Sequence, residues 1–149
     1  MSVLSNFDIQ LILQEENCPC KVCCKDELHM YPNNNKIIFN FDKSNEPGSH
    51  WAGLYISKDT AYYCDSFGRK PLKEVITYLL NRGIHKVWYN DEQIQCESSV
   101  DCGWFSCYFI LMMDNQKTKS MKTYIKQFNI KHVKENDQLL ISRFHKLLK

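Results

Sequence analysis

No stretch of this 149-residue chain is apolar for long enough to span a membrane. The longest apolar run, Trp104 to Met113, is too short and holds Ser106 and Cys107. The N-terminus lacks the basic flank and apolar block of a secretory signal, so the sequence predicts a protein that is not exported. Repeats and low-complexity linkers are missing too, and the length suits a single domain over residues 1–149. The net charge of +2 is too small to mark a nucleic-acid binder on its own. What the chain does have is cysteine, eight in all. In an unexported protein these stay largely reduced, so metal binding or catalysis outranks a disulfide framework.

The pattern along the chain alternates helix, strands, helix, strand and helices. Ser5 is placed to cap a first helix, with Asp8 at its third position and Phe7, Ile9, Leu11, Ile12 and Leu13 as apolar surface. Asn17 and Pro19 end it, and a cysteine-rich loop follows. Residues 36–42 read as a strand with Ile37, Phe39 and Phe41 on one side. Residues 50–56 and 60–65 form a predicted hairpin turning around Ser57-Lys58-Asp59. Pro71 opens a helix that runs to Leu80 before Gly83, and 86–90 is a further strand. The segment after Cys102 is apolar all round, as a buried central helix would be. Helices over 120–128 and 136–148 close the chain. This order predicts an α+β domain: a small mixed sheet of three to five strands packed around a central buried helix.

Chemistry concentrates in a few places. Cys102 precedes a glycine at the head of the apolar helix, where unpaired backbone N–H groups and the helix dipole favour a thiolate. Gln95, seven residues upstream, can offer an amide N–H to a developing oxyanion. Gln93 is the runner-up for that role, with a less suitable spacing. His50 and Asp65 stand at facing ends of the hairpin strands. There a carboxylate can fix the tautomer of an imidazole and stabilise its charged form. Amide hydrolysis by a thiol needs these parts: a nucleophile, a base that later returns the proton, an orienting group and an oxyanion donor. Each residue alone is weak. A lone histidine beside Trp51 is ordinarily a packing residue, an Asp before Ser-Phe-Gly a turn former, and a lone cysteine a small hydrophobe.

Taken in order, Gly-Ser-His50-Trp51, Tyr-Tyr-Cys-Asp65-Ser-Phe-Gly, Gln95 and Asp-Cys102-Gly-Trp-Phe-Ser-Cys resemble adenain, the adenovirus maturation protease. The resemblance extends to the N-terminal helix and to the final helix beginning Asn136-Asp137-Gln138-Leu139, with a shorter region after the core helix. It implies a papain-like, adenain-like cysteine protease fold. In it Cys102 is the nucleophile, His50 the base and acid, Asp65 the orienting carboxylate and Gln95 the oxyanion donor, with Trp51 and Gly103 packing beside the site. The orienting acid is Asp here where adenain has Glu; Asp is the choice of the related SUMO and ubiquitin-like-protein proteases. The resemblance further implies cleavage after small or glycine residues in viral structural precursors during virion maturation. No cofactor is needed for that chemistry, while a viral peptide and DNA act as activators. The expected setting is the virion and the infected host cell, in the nucleus or a cytoplasmic factory, and the expected state is a monomer off the membrane.

Two further features bear on partners. From Gln116 to Lys149 there are nine Lys or Arg against two acids, a basic third that suits either DNA or a solvated helical face. Cys18, Cys20, Cys23 and Cys24, with His29 close by, carry a Cys-x-x-Cys spacing that zinc uses, although no second pair lies downstream. A redox-sensitive reduced loop is the other reading of that cluster. Two other functions remain beside the maturation protease: a deconjugase of ubiquitin-like proteins, and a catalytically idle DNA- or capsid-binding module.

Overall fold

A computed structural model describes residues 3–148; Lys149, the last of the basic residues counted above, lies outside them. The elements in chain order are α1 (Asn6–Glu15), β1 (Lys21–Cys24), a 3₁₀ turn (Lys25–Met30), β2 (Lys36–Asn40), β3 (Trp51–Ser57), β4 (Thr60–Cys64), α2 (Lys73–Asn81), β5 (Lys86–Tyr89), α3 (Cys102–Asn115), α4 (Met121–Ile125) and α5 (Glu135–Leu148). The five strands form one sheet in sequence order, β1 to β5. Its two outer pairings are parallel and the two inner ones antiparallel. The α+β class with a mixed sheet is therefore as the sequence predicted.

The sheet is buried on both faces because its strands alternate between two apolar layers. Ala52, Leu54 and Ile56 of β3 join Ile37, Phe39, Tyr63, Val75 and Leu79 in the layer under α2. Trp51 and Tyr55 face the other way, into the layer built by α1, α3, α4 and α5. Helix α3 is the centre of that second layer, with Phe105, Cys107, Phe109 and Ile110 at most 1% exposed. Its seat on β3 depends on Gly53. A β-carbon there would lie 2.6 Å from Cδ2 of Phe109, so only glycine lets the helix approach this closely.

Local expectations held where short-range chemistry decides. Ser5 and Asp8 make a reciprocal capping box on α1. Gly83 follows α2 with φ of 77°. Other boundaries shifted. Helix α2 starts at Lys73, with Leu72 rather than Pro71 before it. The helix read over 120–128 is only Met121–Ile125. Phe7 and Leu11 of α1 point to solvent, at 74% and 58% exposure. The largest correction is at the N-terminal cysteines. The segment read as a loop contains β1, held as an edge strand by parallel pairing with β2. Four residues are too few for a period-two pattern to show in the sequence.

A cysteine–histidine cleft at the end of the hairpin

Strands β3 and β4 are antiparallel, so the start of one lies beside the end of the other. His50 immediately precedes β3, with its carbonyl accepting from the backbone N–H of Phe41 at 2.8 Å. Asp65 immediately follows β4. There the chain turns sharply, the N–H of Gly68 donating to the Asp65 carbonyl at 2.8 Å. Gly68 adopts φ of 75°, and a β-carbon there would meet the Glu92 carbonyl carbon at 2.8 Å, so this turn demands glycine. Asn90, just beyond β5, donates its side-chain amide to the same Asp65 carbonyl at 2.7 Å.

This framework sets His50 Nε2 2.7 Å from Asp65 Oδ1, with both residues buried. Asp65 is fully enclosed, and its remaining lone pairs are satisfied: the Phe67 N–H donates to Oδ1 at 3.0 Å and Arg69 Nε to Oδ2 at 2.7 Å. Burial pushes the carboxyl pKa up, but the hydrogen bonds from His50 and Arg69 outweigh it and leave Asp65 below its ordinary range. For His50, burial pushes down. Hydrogen bonds to Asp65 and to Cys102, with the attraction of both groups, carry it above its ordinary value. Since Nε2 is engaged by Asp65, Nδ1 is the ring nitrogen left for the Cys102 thiol.

The imidazole is also held by its faces. It stacks on Phe67 with centroids 4.8 Å apart and meets Phe41 edge-on at 4.8 Å. The Arg69 guanidinium lies over both of those rings, at 4.8 Å from Phe41 and 5.4 Å from Phe67. Sequence reasoning read Phe67 and Gly68 only as a turn and Phe41 only as one side of a strand, and passed over Arg69. The one available signal was that Arg69 sits four residues after Asp65, within reach across a turn.

Cys102 is the first residue of α3. No side chain caps that helix start, so its first-turn N–H groups have no partner from the preceding residue's side chain. His50, Trp51, Phe67, Gln95 and Cys102 all line one cleft of about 860 Å³. Trp51 is nearly buried and donates its indole N–H to the Leu4 carbonyl at 3.0 Å. Gly103 is buried, and a β-carbon on it would meet Leu4 at 3.0 Å. The segment before α1 therefore packs against the helix start. Gln95 is fully buried, with Oε1 2.5 Å from Ser66 Oγ and Nε2 3.0 Å from the Ser99 carbonyl. Gln93, by contrast, turns its amide onto the Gln95 carbonyl at 2.8 Å and is not among the cleft residues.

The four N-terminal cysteines do not converge. Cys18 and Cys20 pack in the α3 layer while Cys23 packs in the α2 layer, so the sheet separates them. Successive side chains of β1 leave on opposite faces, which a reading based on spacing alone misses. Among the described residues, the only group of side chains close enough to share an ion is Cys24, Asp26 and Glu27. The zinc expectation for Cys18, Cys20, Cys23 and Cys24 is thus replaced by a structural role. All eight cysteines are free thiols. Among the described residues, no helix is long and apolar enough to cross a membrane.

Comparison with known proteins fits this geometry. The adenovirus endoprotease family profile matches residues 80–148, the part that holds Gln95, Cys102, α3 and α5. A protein of Acanthamoeba polyphaga mimivirus, provisionally named a thiol protease, is 36% identical over 87 residues, covering 51% of this chain. Only 28% of that relative is covered, so the chain spans little more than a quarter of its length. Among solved structures, the selenomethionine crystal structure of the ASFV pS273R protease aligns with a TM-score of 0.57 at 20% identity, over 89% of this chain and 65% of that one. The SUMO protease Ulp1 aligns at TM-score 0.48 and 19% identity, over 84% of this chain and 73% of that one. The fold is similar to that of the ASFV pS273R protease.

Proposed function

We propose that this chain acts, as one domain over residues 1–149, as a viral cysteine endopeptidase. The observation that carries the reading is His50, bonded through Nε2 to a buried carboxylate at 2.7 Å in the cleft that Cys102 also lines. In this mechanism Nδ1 takes the thiol proton and Cys102 Sγ attacks the carbonyl carbon of the scissile amide. Negative charge moves to the carbonyl oxygen, where the Gln95 amide and the Cys102 backbone N–H donate to it. Collapse of the tetrahedral species breaks the C–N bond, and His50 returns the proton to the departing amine. Water, deprotonated by His50, then hydrolyses the thioester and frees Cys102. Asp65 stabilises the imidazolium in both halves and stays ionised throughout.

The substrates of this reading are structural precursor polypeptides cut after small or glycine residues during virion maturation, in the infected cell or the particle. The viral origin of the mimivirus relative and the adenovirus family match support it. The protein works as a monomer, and a viral peptide and DNA are its candidate activators. For DNA the support is the basic third, in which Lys122, Lys126 and Lys134 all lie in or beside the two C-terminal helices.

The test is cleavage of a peptide library read by mass spectrometry, with and without DNA at low salt, for wild type, Cys102→Ala and His50→Ala. Cuts after glycine-rich sites that vanish in both variants are expected. Cleavage surviving the loss of Cys102 would overturn the assignment. Activity that is unchanged by added DNA removes the DNA activator. Strong labelling of Cys102 by a ubiquitin-like-protein probe, with no cutting of the library, would turn the reading to a deconjugase.

A further inference from the structure

Gln95 can serve an oxyanion only if its amide is held the right way round, and the buried contacts around it decide this. The Ser99 carbonyl can only accept, so the group facing it at 3.0 Å must be the Gln95 NH₂. The opposite end, Oε1, then faces Ser66 Oγ at 2.5 Å, and the serine hydroxyl must donate to it. Ser66 also grips the backbone of the same segment. Its carbonyl accepts from the N–H of Ile94 at 2.9 Å and of Gln95 at 3.1 Å. Ser66 is 3% exposed and Gln95 fully buried, so water cannot replace the hydroxyl if it is removed. The segment is braced from its far side as well, since Asn136 of α5 donates to the Ile94 carbonyl at 2.8 Å.

We infer that Ser66 is a positioning residue for the reaction. It orients the Gln95 amide, so that the dipeptide Asp65-Ser66 sets both halves of the site: Asp65 the base, Ser66 the oxyanion donor. This rests on the peptidase reading above. The Gln95 amide nitrogen donates to the Ser99 carbonyl at 3.0 Å and makes only a long contact, 3.4 Å, to the Ser99 hydroxyl, so its second N–H is the one a stronger acceptor in the cleft shared with Cys102 would draw. Without the Ser66 hydroxyl the amide loses the acceptor lock on Oε1 and can rotate. The donor is then misdirected, although the Cys102–His50 pair is untouched.

The test compares Ser66→Ala and Gln95→Ala, singly and together, on one peptide substrate. Losing an oxyanion donor outright lowers kcat by about 10²–10³-fold, so Gln95→Ala is expected in that range and Ser66→Ala at roughly 10-fold, both with KM unchanged. In the Gln95→Ala background, Ser66→Ala is expected to add nothing. Alkylation of Cys102 by iodoacetamide forms no oxyanion, so its rate is expected to match wild type in Ser66→Ala. Should Ser66→Ala be too unstable to assay, the isosteric pair Ser66→Thr and Ser66→Val carries the comparison, with Thr restoring most of the rate and Val not. A kcat loss in Ser66→Ala that persists in the Gln95→Ala background, or that is matched by slower alkylation, reduces Ser66 to a structural residue and overturns the proposal. Full activity of Ser66→Ala beside an impaired Gln95→Ala overturns it while leaving the peptidase reading intact. Gln95→Ala at the wild-type rate instead removes the oxyanion role on which it rests.

Discussion

Cys23 and Cys24 line the same cleft as Cys102, yet the two regions differ in every respect that governs thiol chemistry. Burial, aided by the charge of Glu27, holds the Cys23 thiol up at about 12 and the Cys24 thiol at about 11. Their neighbours are an edge strand and two acids, and neither has an imidazole beside it. Cys102 starts a helix and shares its cleft with a histidine that a fully buried carboxylate orients. On the proposed reading the cleft does not confer reactivity; the partner does. Cysteine density in the sequence points to residues 18–24, whereas the proposed nucleophile Cys102 draws its partners His50 and Asp65 from fifty-two and thirty-seven residues upstream.

The sharpest way to break this contrast is to remove the thiols on each side. Cys102→Ala should lower peptide cleavage by about 10⁴-fold or more, whereas Cys23→Ala and Cys24→Ala should keep it, as measured by kcat/KM. Next comes Asp65→Asn, expected to cost about 10²–10⁴-fold. Its pH profile carries a sign. Hydrogen bonds and attraction outweigh burial and raise the His50 pKa, so the imidazolium persists as pH rises. The alkaline limb of kcat/KM should lie above about pH 6.5 in wild type and move to lower pH in Asp65→Asn.

Smaller effects probe the frame. Gly53→Ala forces a methyl against Phe109 and should lower stability by about 1–3 kcal/mol, read as a reduced Tm by calorimetry, because α3 must shift off β3. Arg69→Ala should have the least effect on rate. Arg69 competes with His50 for the Asp65 carboxylate, so its loss should move the alkaline limb to higher pH, the opposite direction to Asp65→Asn.

Much of this was legible in the sequence. Hairpin, capping box and buried helix each announce themselves within a dozen residues, through alternation, a Ser–Asp pair and an unbroken apolar run. His50, Asp65, Gln95 and Cys102 were singled out as candidates because their order along the chain resembles a known protease pattern. What stayed hidden depends on long-range contact. The Ser66–Gln95 bond spans 29 positions and leaves no periodic trace. The Phe41–His50–Phe67 stack, roofed by Arg69, needs β2 beside β3 before it exists. Spacing alone misjudges the cysteine cluster for a local reason: it says how far apart two cysteines are, and strand alternation says which face each one leaves from.

The most direct test of the central claim is the alkylation rate of each cysteine by iodoacetamide near neutral pH, mapped by mass spectrometry in wild type and His50→Ala. The account predicts that Cys102 reacts far faster than Cys23 and Cys24 and loses that advantage in His50→Ala. The exposed Cys96 should react equally in both proteins. A Cys102 that reacts no faster than Cys23, or whose rate ignores the loss of His50, would contradict it.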